Sequence, residues 1–228
     1  MKFLLKNDRQ IRAQIESISR NMISDIFGYN ALLVGDYFDK RILEESRIPN
    51  KWSVLNRVEK RWKANLITEF EEISIVNETI DLIILPYILE NTVAPYSVLE
   101  RFGHLLVSGG SLLLVGVQPW SFGKNNHFSQ LNSFVKLDGS KMLAVREIKS
   151  KLYAENLVIE KLEYLYFGKF FYDDVRHTKR ISIINKKVSI SFGGVYLILA
   201  KKRLAPVTPI LNLRRKSSKI REAGLLES

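Results

Sequence analysis

Residues 85–90 and 116–123 hold the side chains that the sequence best places for ligand chemistry. They follow two apolar runs, at 80–85 and 112–115, with a helix-like segment between them. Two buried strands joined by one crossover helix form half of a doubly wound sheet, and such sheets bind ligands beyond the carboxyl ends of their strands. We therefore predict that both segments face a ligand. Their side chains include Tyr87, Gln118, Trp120 and Phe122.

The composition argues against several other kinds of site. The 228-residue chain contains no cysteine, which excludes a disulfide, a thiolate metal site and a catalytic thiol. Its three histidines, His104, His127 and His177, are scattered, so we expect no metal centre. With 46% hydrophobic and 26% charged residues, the chain is expected to bury a full core in one domain rather than two.

Targeting and membrane signals are weak. The apolar runs near 105–117 and 188–200 are too short and too interrupted by glycine to span a bilayer. Phe3, Leu4 and Leu5 form too brief an apolar start for a signal peptide. We expect a cytoplasmic protein without a transmembrane segment.

The net charge of +11 is concentrated toward the end of the chain. From Lys201 onward there are eight basic and two acidic residues, together with prolines and serines. We predict a basic, disordered tail at 204–228 that serves solubility. Contact of this tail with nucleic acid or an anionic membrane is the less favoured alternative, because a basic run alone is common.

The periodicity predicts an α/β fold. Residues 8–27 carry an apolar stripe that indicates an N-terminal amphipathic helix over 1–27, stopped by Gly28. Seven strands follow in the predicted domain at 28–203, and their spacing favours a doubly wound, mainly parallel sheet with an antiparallel edge. The predicted strands are 31–34, 52–55, 64–68, 81–85, 111–117, 157–167 and 188–199, and further helices are predicted at 37–46, 95–106 and 140–154.

Four ordered stretches resemble class I S-adenosylmethionine-dependent methyltransferases, and more narrowly a bacterial branch related to the quinone and biotin pathway methyltransferases. They are FGYNALLVG at 27–35, DLIILPYILE at 81–90, VSGGSLLLVGVQPWSFG at 107–123 and GVYLILAKKRLAPVTPI at 194–210. The resemblance implies a Rossmann-like methyltransferase fold and S-adenosyl-L-methionine as cofactor. It also implies methyl transfer to a small-molecule acceptor, small or apolar, that the sequence does not identify.

The resemblance also implies cofactor-binding positions. Gly35 and Asp36 correspond to the turn that holds the methionine portion, although the rest of the glycine-rich loop is absent here. Asn56 stands where an acidic residue usually binds the ribose. Glu69 and Phe70 correspond to the residues that contact the adenine, with a solvated acidic loop as the equally weighted alternative. Pro86 and Tyr87 correspond to positions over the sulfonium, with a half-buried packing role as the alternative for Tyr87 and the more common one for a lone tyrosine beside a strand.

Gln118, Trp120 and Phe122 lie where the family builds its acceptor pocket. The two aromatic rings suit a planar or apolar acceptor, but simple packing within the loop is slightly favoured. Methyl transfer requires no fixed catalytic triad, because its main demands are alignment and the exclusion of water. Candidate bases for an oxygen nucleophile are Asp36, Glu69, Tyr87 and His127, and the sequence does not choose among them.

Two functions therefore remain in view. The leading interpretation is an S-adenosylmethionine-dependent methyltransferase. The alternative is a methyltransferase-like scaffold that has lost cofactor binding and acts as a binding or interaction module, because Asp36, Tyr37 and Phe38 replace the glycine-rich loop and Asn56 replaces the acid. The sequence does not indicate the oligomeric state.

Overall fold

The computed structural model describes residues 2–58, 64–118, 143–165 and 194–203, and of residues 2–11 it describes the backbone only. Within these ranges the helices and strands are α1 (Lys2–Ile23), β1 (Asn30–Val34), β2 (Asn50–Leu55), β3 (Leu66–Ile67), β4 (Ile80–Pro86), α2 (Pro95–Leu105), β5 (Leu106–Val117), α3 (Val145–Ala154), β6 (Leu157–Leu165) and β7 (Val195–Lys202). Short 3-10 helices lie at Lys40–Glu45, Phe70–Glu72 and Leu89–Asn91.

The seven described strands form one sheet in the order β3-β2-β1-β4-β5-β7-β6. β1 pairs in parallel with β2 and β4, while β2 pairs likewise with β3, and β4 with β5. β7 runs antiparallel to both β5 and β6. The predicted mainly parallel sheet with an antiparallel edge is confirmed. Its strand order reverses between β1 and β4, and this switch point is where doubly wound sheets place their ligands.

Apolar layers cover both faces of the sheet, because successive side chains of a strand point to opposite faces. On one face, Ile15 and Met22 of α1 pack in a cluster with Leu33 of β1. On the other face, Phe102 of α2 and Ile148 of α3 pack in a cluster with Leu32. Helices on both faces therefore fix the positions of the carboxyl ends of the strands.

The N-terminal helix forms as predicted, but Gly28 does not end it. α1 ends at Ile23, and the Ile26 amide then donates a hydrogen bond to the Ile23 carbonyl in a turn, at 3.1 Å. Gly28 is required for packing instead, because a Cβ atom there would lie 2.3 Å from Cβ of Asp81. The chain can pass this close to the start of β4 only where it carries no side chain.

Gly109 and Gly110 lie between the predicted helix at 95–106 and the predicted strand at 111–117, where a turn is expected. That expectation is wrong, because both residues lie inside β5. The register between β4 and β5 shifts here, which marks a bulge. Gly109 has a φ of +85°, and a Cβ on Gly110 would lie 3.0 Å from the Val107 carbonyl oxygen. The two glycines therefore serve a bulged strand, and β5 begins five residues earlier than predicted.

The helix predicted at 37–46 is a 3-10 helix at Lys40–Glu45. The Asp39 carboxylate caps it by accepting a hydrogen bond from the Arg41 amide, at 3.0 Å. The β1–β2 connection therefore contains only this short element. β3 has two residues rather than five, and β7 covers Val195–Lys202 of the strand predicted at 188–199. The part of that predicted strand before 194 lies outside the described residues.

Candidate functional site

Gly35 lies at the switch point, directly after β1. Its amide donates to the carbonyl of Val54 in β2, at 2.8 Å, and its φ is +82°. A Cβ added to Gly35 would lie 2.7 Å from Cδ1 of Ile88, which follows β4. Glycine is needed here both for the left-handed backbone and for this close approach.

Tyr87 follows β4 and is almost wholly buried, with 1% of its surface exposed. Its φ of +57° is unusual for a bulky residue, and its amide donates to the Val115 carbonyl at 2.7 Å. Within the described part of the chain, the Tyr87 hydroxyl has no hydrogen-bond partner. Burial, together with the nearby Tyr37, raises the pKa of Tyr87 well above its usual value. The Tyr87 side chain therefore remains a neutral hydrogen-bond donor at physiological pH.

Tyr37 fills part of the turn after β1. Its ring packs edge-on against Tyr87, with 4.5 Å between the ring centroids. The Arg12 guanidinium lies 5.2 Å from the centre of the Tyr37 ring and donates to the Tyr37 carbonyl. Burial raises the pKa of Tyr37 above its usual value. The next residue, Phe38, is fully buried in the core, whereas Asp36 is exposed.

The predicted ribose and adenine positions differ in their exposure. Asn56 and Glu69 are exposed after β2 and β3, so both side chains are open to a ligand. Phe70 is buried in the core, which gives its ring a packing role and leaves only its backbone for a ligand. Glu71 accepts a hydrogen bond from Thr92.

The carboxyl ends of β4 and β5 are held together at Pro86, which is buried and pairs with Val115. Gln118 follows β5 and is buried, and its amide donates to the Gly194 carbonyl at 3.2 Å. The side-chain oxygen of Gln118 has no hydrogen-bond partner among the described residues. Trp120, Phe122 and His127 lie outside the described residues.

Glu90 is not among the residues predicted for the site, because its position in the sequence favours capping of the following segment over catalysis. α2 instead follows Ala94 without a side-chain cap, so the capping prediction is wrong. Glu90 has 1% of its surface exposed, and its Oε1 accepts a hydrogen bond from the Val117 amide at 2.7 Å. The Tyr196 hydroxyl lies 3.3 Å from the same oxygen. The signal that could have found it is a lone acid that ends a run of apolar residues.

Burial raises the pKa of Glu90 to about 7. The hydrogen bonds from Val117 and Tyr196 act in the opposite direction and limit the rise. No residue that the structure describes forms a hydrogen bond with Oε2 of Glu90. Glu90 is therefore a buried acid that can change its protonation state near neutral pH.

Other ligand features are sparse in the described part of the chain. No group of three or more potential metal ligands occurs among the residues described, and no described helix is long and apolar enough to cross a membrane. A groove of about 360 Å³ lies on the face formed by β1, β2 and β3. It includes Asn30 and Thr79, near the amino ends of the strands, so it lies away from the switch point.

No family model matches this sequence, and no curated protein matches it. Solved structures of S-adenosylmethionine-dependent methyltransferases share the fold. One, from Archaeoglobus fulgidus, has a TM-score of 0.56 at 16% identity, covering 84% of this chain and 94% of that one. A geranyl diphosphate methyltransferase in complex with S-adenosylmethionine has a TM-score of 0.55 at 12% identity, covering 83% and 86%. The predicted Rossmann-like methyltransferase fold is confirmed.

The same fold also supports other chemistry. The cyclase SpnF matches with a TM-score of 0.55 at 10% identity, covering 84% of this chain and 81% of that one. A shared fold therefore establishes architecture, and activity has to be argued from the residues of the site.

Proposed function

We propose that the chain is an S-adenosylmethionine-dependent methyltransferase that acts on a small-molecule acceptor. The observation that carries the proposal is the methyltransferase fold with Gly35 in a left-handed conformation at its switch point. The space beside the Gly35 Cα is filled by Ile88, but Asp36 is exposed, so a ligand can approach this turn from the Asp36 side. The sequence stretches that resemble the bacterial branch provide independent support.

In this proposal the cofactor lies on the side of β1 to β3. We assign Gly35 and Asp36 to its methionine portion, Asn56 to the ribose hydroxyls, and Glu69 with the Phe70 backbone to the adenine. Asn56 and Glu69 are exposed and therefore able to make these contacts. The carboxylate of Glu69 can accept from an exocyclic amine, whereas Asn56 offers a hydrogen bond without charge.

Pro86 and Tyr87 form the wall between the cofactor and acceptor sides in this proposal. Bound S-adenosylmethionine supplies an activated methyl group, so the protein has to align the acceptor and exclude water. Tyr87 serves as a hydrogen-bond donor rather than a base, because its pKa lies well above neutral pH. We assign the acceptor pocket to Gln118, Trp120 and Phe122, whose aromatic rings suit a small or apolar acceptor.

Calorimetric titration with S-adenosylhomocysteine tests the proposal. We expect saturable binding by the full chain. Glu69→Gln should weaken it about tenfold, because a hydrogen bond to a charged group is lost. Glu72→Gln is the matched control, since Glu72 is also exposed in the same loop and should bind as the unaltered chain does.

Absence of binding at millimolar ligand would contradict the methyltransferase proposal. Equal affinities of the Glu69→Gln and Glu72→Gln variants would instead remove only the assigned role of Glu69. The cofactor could then still bind through the remaining positions.

A scaffold without cofactor is the second candidate, because Tyr37 occupies part of the turn that the glycine-rich loop usually leaves open. This candidate predicts no binding by the unaltered chain. A Tyr37→Ala variant distinguishes two explanations for such a loss of cofactor binding. If that variant binds S-adenosylhomocysteine, the tyrosine alone blocks the site, and if it does not, the whole crevice has lost the cofactor.

A further inference from the structure

Glu90 joins three parts of the sheet through one carboxyl oxygen. It belongs to the 3-10 helix Leu89–Asn91 after β4, and it accepts from the last amide of β5 and lies beside the Tyr196 hydroxyl of β7. Gly116 leaves the space for this contact. A Cβ on Gly116 would lie 2.0 Å from the Tyr196 hydroxyl and 2.3 Å from Oε1 of Glu90.

The surroundings of Glu90 suit a neutral acid. The titratable side chains around it in the described chain are tyrosines: Tyr196 from β7, Tyr87 from the end of β4, and Tyr164, which pairs with Tyr196 from β6. No basic side chain of the described residues forms an ion pair with Glu90. A buried carboxylate without a cation is costly, so the protonated form is favoured.

The same short segment reaches the switch point. Ile88, two residues before Glu90, packs against the space that a side chain on Gly35 would occupy. A displacement of Glu90 would therefore move Ile88 relative to Gly35 as well as the end of β5. Residues 88–90 connect the proposed cofactor turn to the strand that leads into the proposed acceptor pocket.

We propose that Glu90 is a positioning residue that couples the Gly35 turn to the carboxyl end of β5. The assignment of these two places to cofactor and acceptor rests on the proposed function, but the coupling itself is a property of the chain. Glu90 acts through Ile88 on one side, and through Val117 and Tyr196 on the other.

Amide hydrogen exchange tests the coupling in the full chain. The Gly35 amide, bonded to Val54, reports on the cofactor turn, and the Val117 amide reports on the direct contact. The Leu33 amide in β1 reports on global opening. We expect Glu90→Ala to reduce protection at Gly35 about tenfold relative to Leu33, because only the segment around the turn loosens. Glu100→Ala, on the exposed face of α2, is the control.

The dependence on pH distinguishes coupling from a global loss of stability when Gly35 is compared with Leu33. After correction for intrinsic exchange, protection at Gly35 relative to Leu33 should fall in the unaltered chain as pH rises through about 7, where Glu90 becomes charged. Glu90→Gln keeps a neutral acceptor for the Val117 amide and should abolish this dependence. It should also restore most of the protection lost in Glu90→Ala.

Three outcomes would overturn the inference. One is Gly35 protection in Glu90→Ala equal to that in Glu100→Ala, and another is the same pH dependence with and without Glu90. The third covers the case in which Glu90→Ala does not fold. A folded Glu90→Gln variant that retains the pH dependence would then contradict the inference. Calorimetry with S-adenosylhomocysteine on the same samples keeps the proposals separate, because absent binding contradicts the proposed function while the exchange data still decide the coupling.

Discussion

The two halves of the sheet differ in how they are buried. The half formed by β4, β5 and β7 has long strands whose side chains are almost all buried, with helices against it. The half formed by β2 and β3 is short, and the first three residues of β2 are exposed. The proposed cofactor contacts Asn56 and Glu69 lie on this exposed half. The chain therefore separates its buried core from the exposed edge that carries the proposed cofactor contacts.

Removing one side chain from each half tests this comparison most directly. Leu113 in β5 is fully buried, whereas Ile67 in β3 has 48% of its surface exposed. We expect Leu113→Ala to lower the free energy of unfolding by about 3 kcal/mol through lost burial and a cavity. Ile67→Ala should lower it by less than about 1 kcal/mol. Chemical denaturation measures both, and equal losses would break the comparison.

The dependence of stability on pH should also originate in the buried half. The pKa of Glu90 is raised from 4.5 to about 7 on folding, so the folded chain binds more protons than the unfolded chain between these values. The contribution of Glu90 to the free energy of unfolding is therefore present below pH 4.5 and is lost as pH rises to about 7. The full loss is about 3 kcal/mol.

Denaturation curves of the unaltered chain and Glu90→Gln between pH 5 and pH 8.5 measure this contribution. The difference between the two should move in favour of Glu90→Gln as pH rises, since the variant carries no ionisable group there. Because all other titrating groups are common to both chains, they largely cancel. A difference that stays constant with pH would show that Glu90 does not titrate on folding.

The buried half was also the easier one to predict from sequence. The apolar runs that became β4 and β5 are continuous, and Pro95 marked the start of α2, so the crossover unit was found almost in full. β3 was predicted with five residues and has two. Hydrophobic periodicity is informative where burial is complete and weak at an exposed edge.

The site was less predictable than the fold for a physical reason. Gly35 and Tyr87 stood in recognisable positions, but the contact of Tyr37 with Tyr87 joins parts of the chain fifty residues apart. The Glu90 contacts depend on Gly116 and Tyr196, which are adjacent only through the pairing of β5 with β7. Such contacts follow from strand register, which local sequence does not specify.

A smaller effect is expected from adding one methyl group at the Glu90 contact. Gly116→Ala places a Cβ in contact with the Tyr196 hydroxyl and Glu90, and it should lower the free energy of unfolding by about 2 kcal/mol through overpacking. Gly103→Ala in α2 is the matched control, since its nearest neighbour would be 3.6 Å away. That helical substitution should be neutral or stabilising by up to about 1 kcal/mol. Thermal and chemical denaturation compare the two variants. If Gly116→Ala were as stable as Gly103→Ala, Tyr196 and Glu90 could move to accept the added methyl group at little cost in free energy.

The smallest expected effect lies where the two halves join. Oδ2 of Asp81, at the start of β4, accepts hydrogen bonds from the amides of Tyr29 and Asn30, at 2.8 and 2.9 Å. Asp81→Ala leaves both amides without this partner, but solvent can reach the half-buried site, so the expected loss is about 1 kcal/mol. Asp25→Ala, on an exposed residue after α1, should change stability by less than about 0.5 kcal/mol. Amide exchange at Tyr29 and Asn30 should increase in Asp81→Ala alone, while exchange in β5 stays the same. If exchange in β5 increased equally, the two halves would open as one unit, and their separation into a stable core and a ligand-facing edge would not hold.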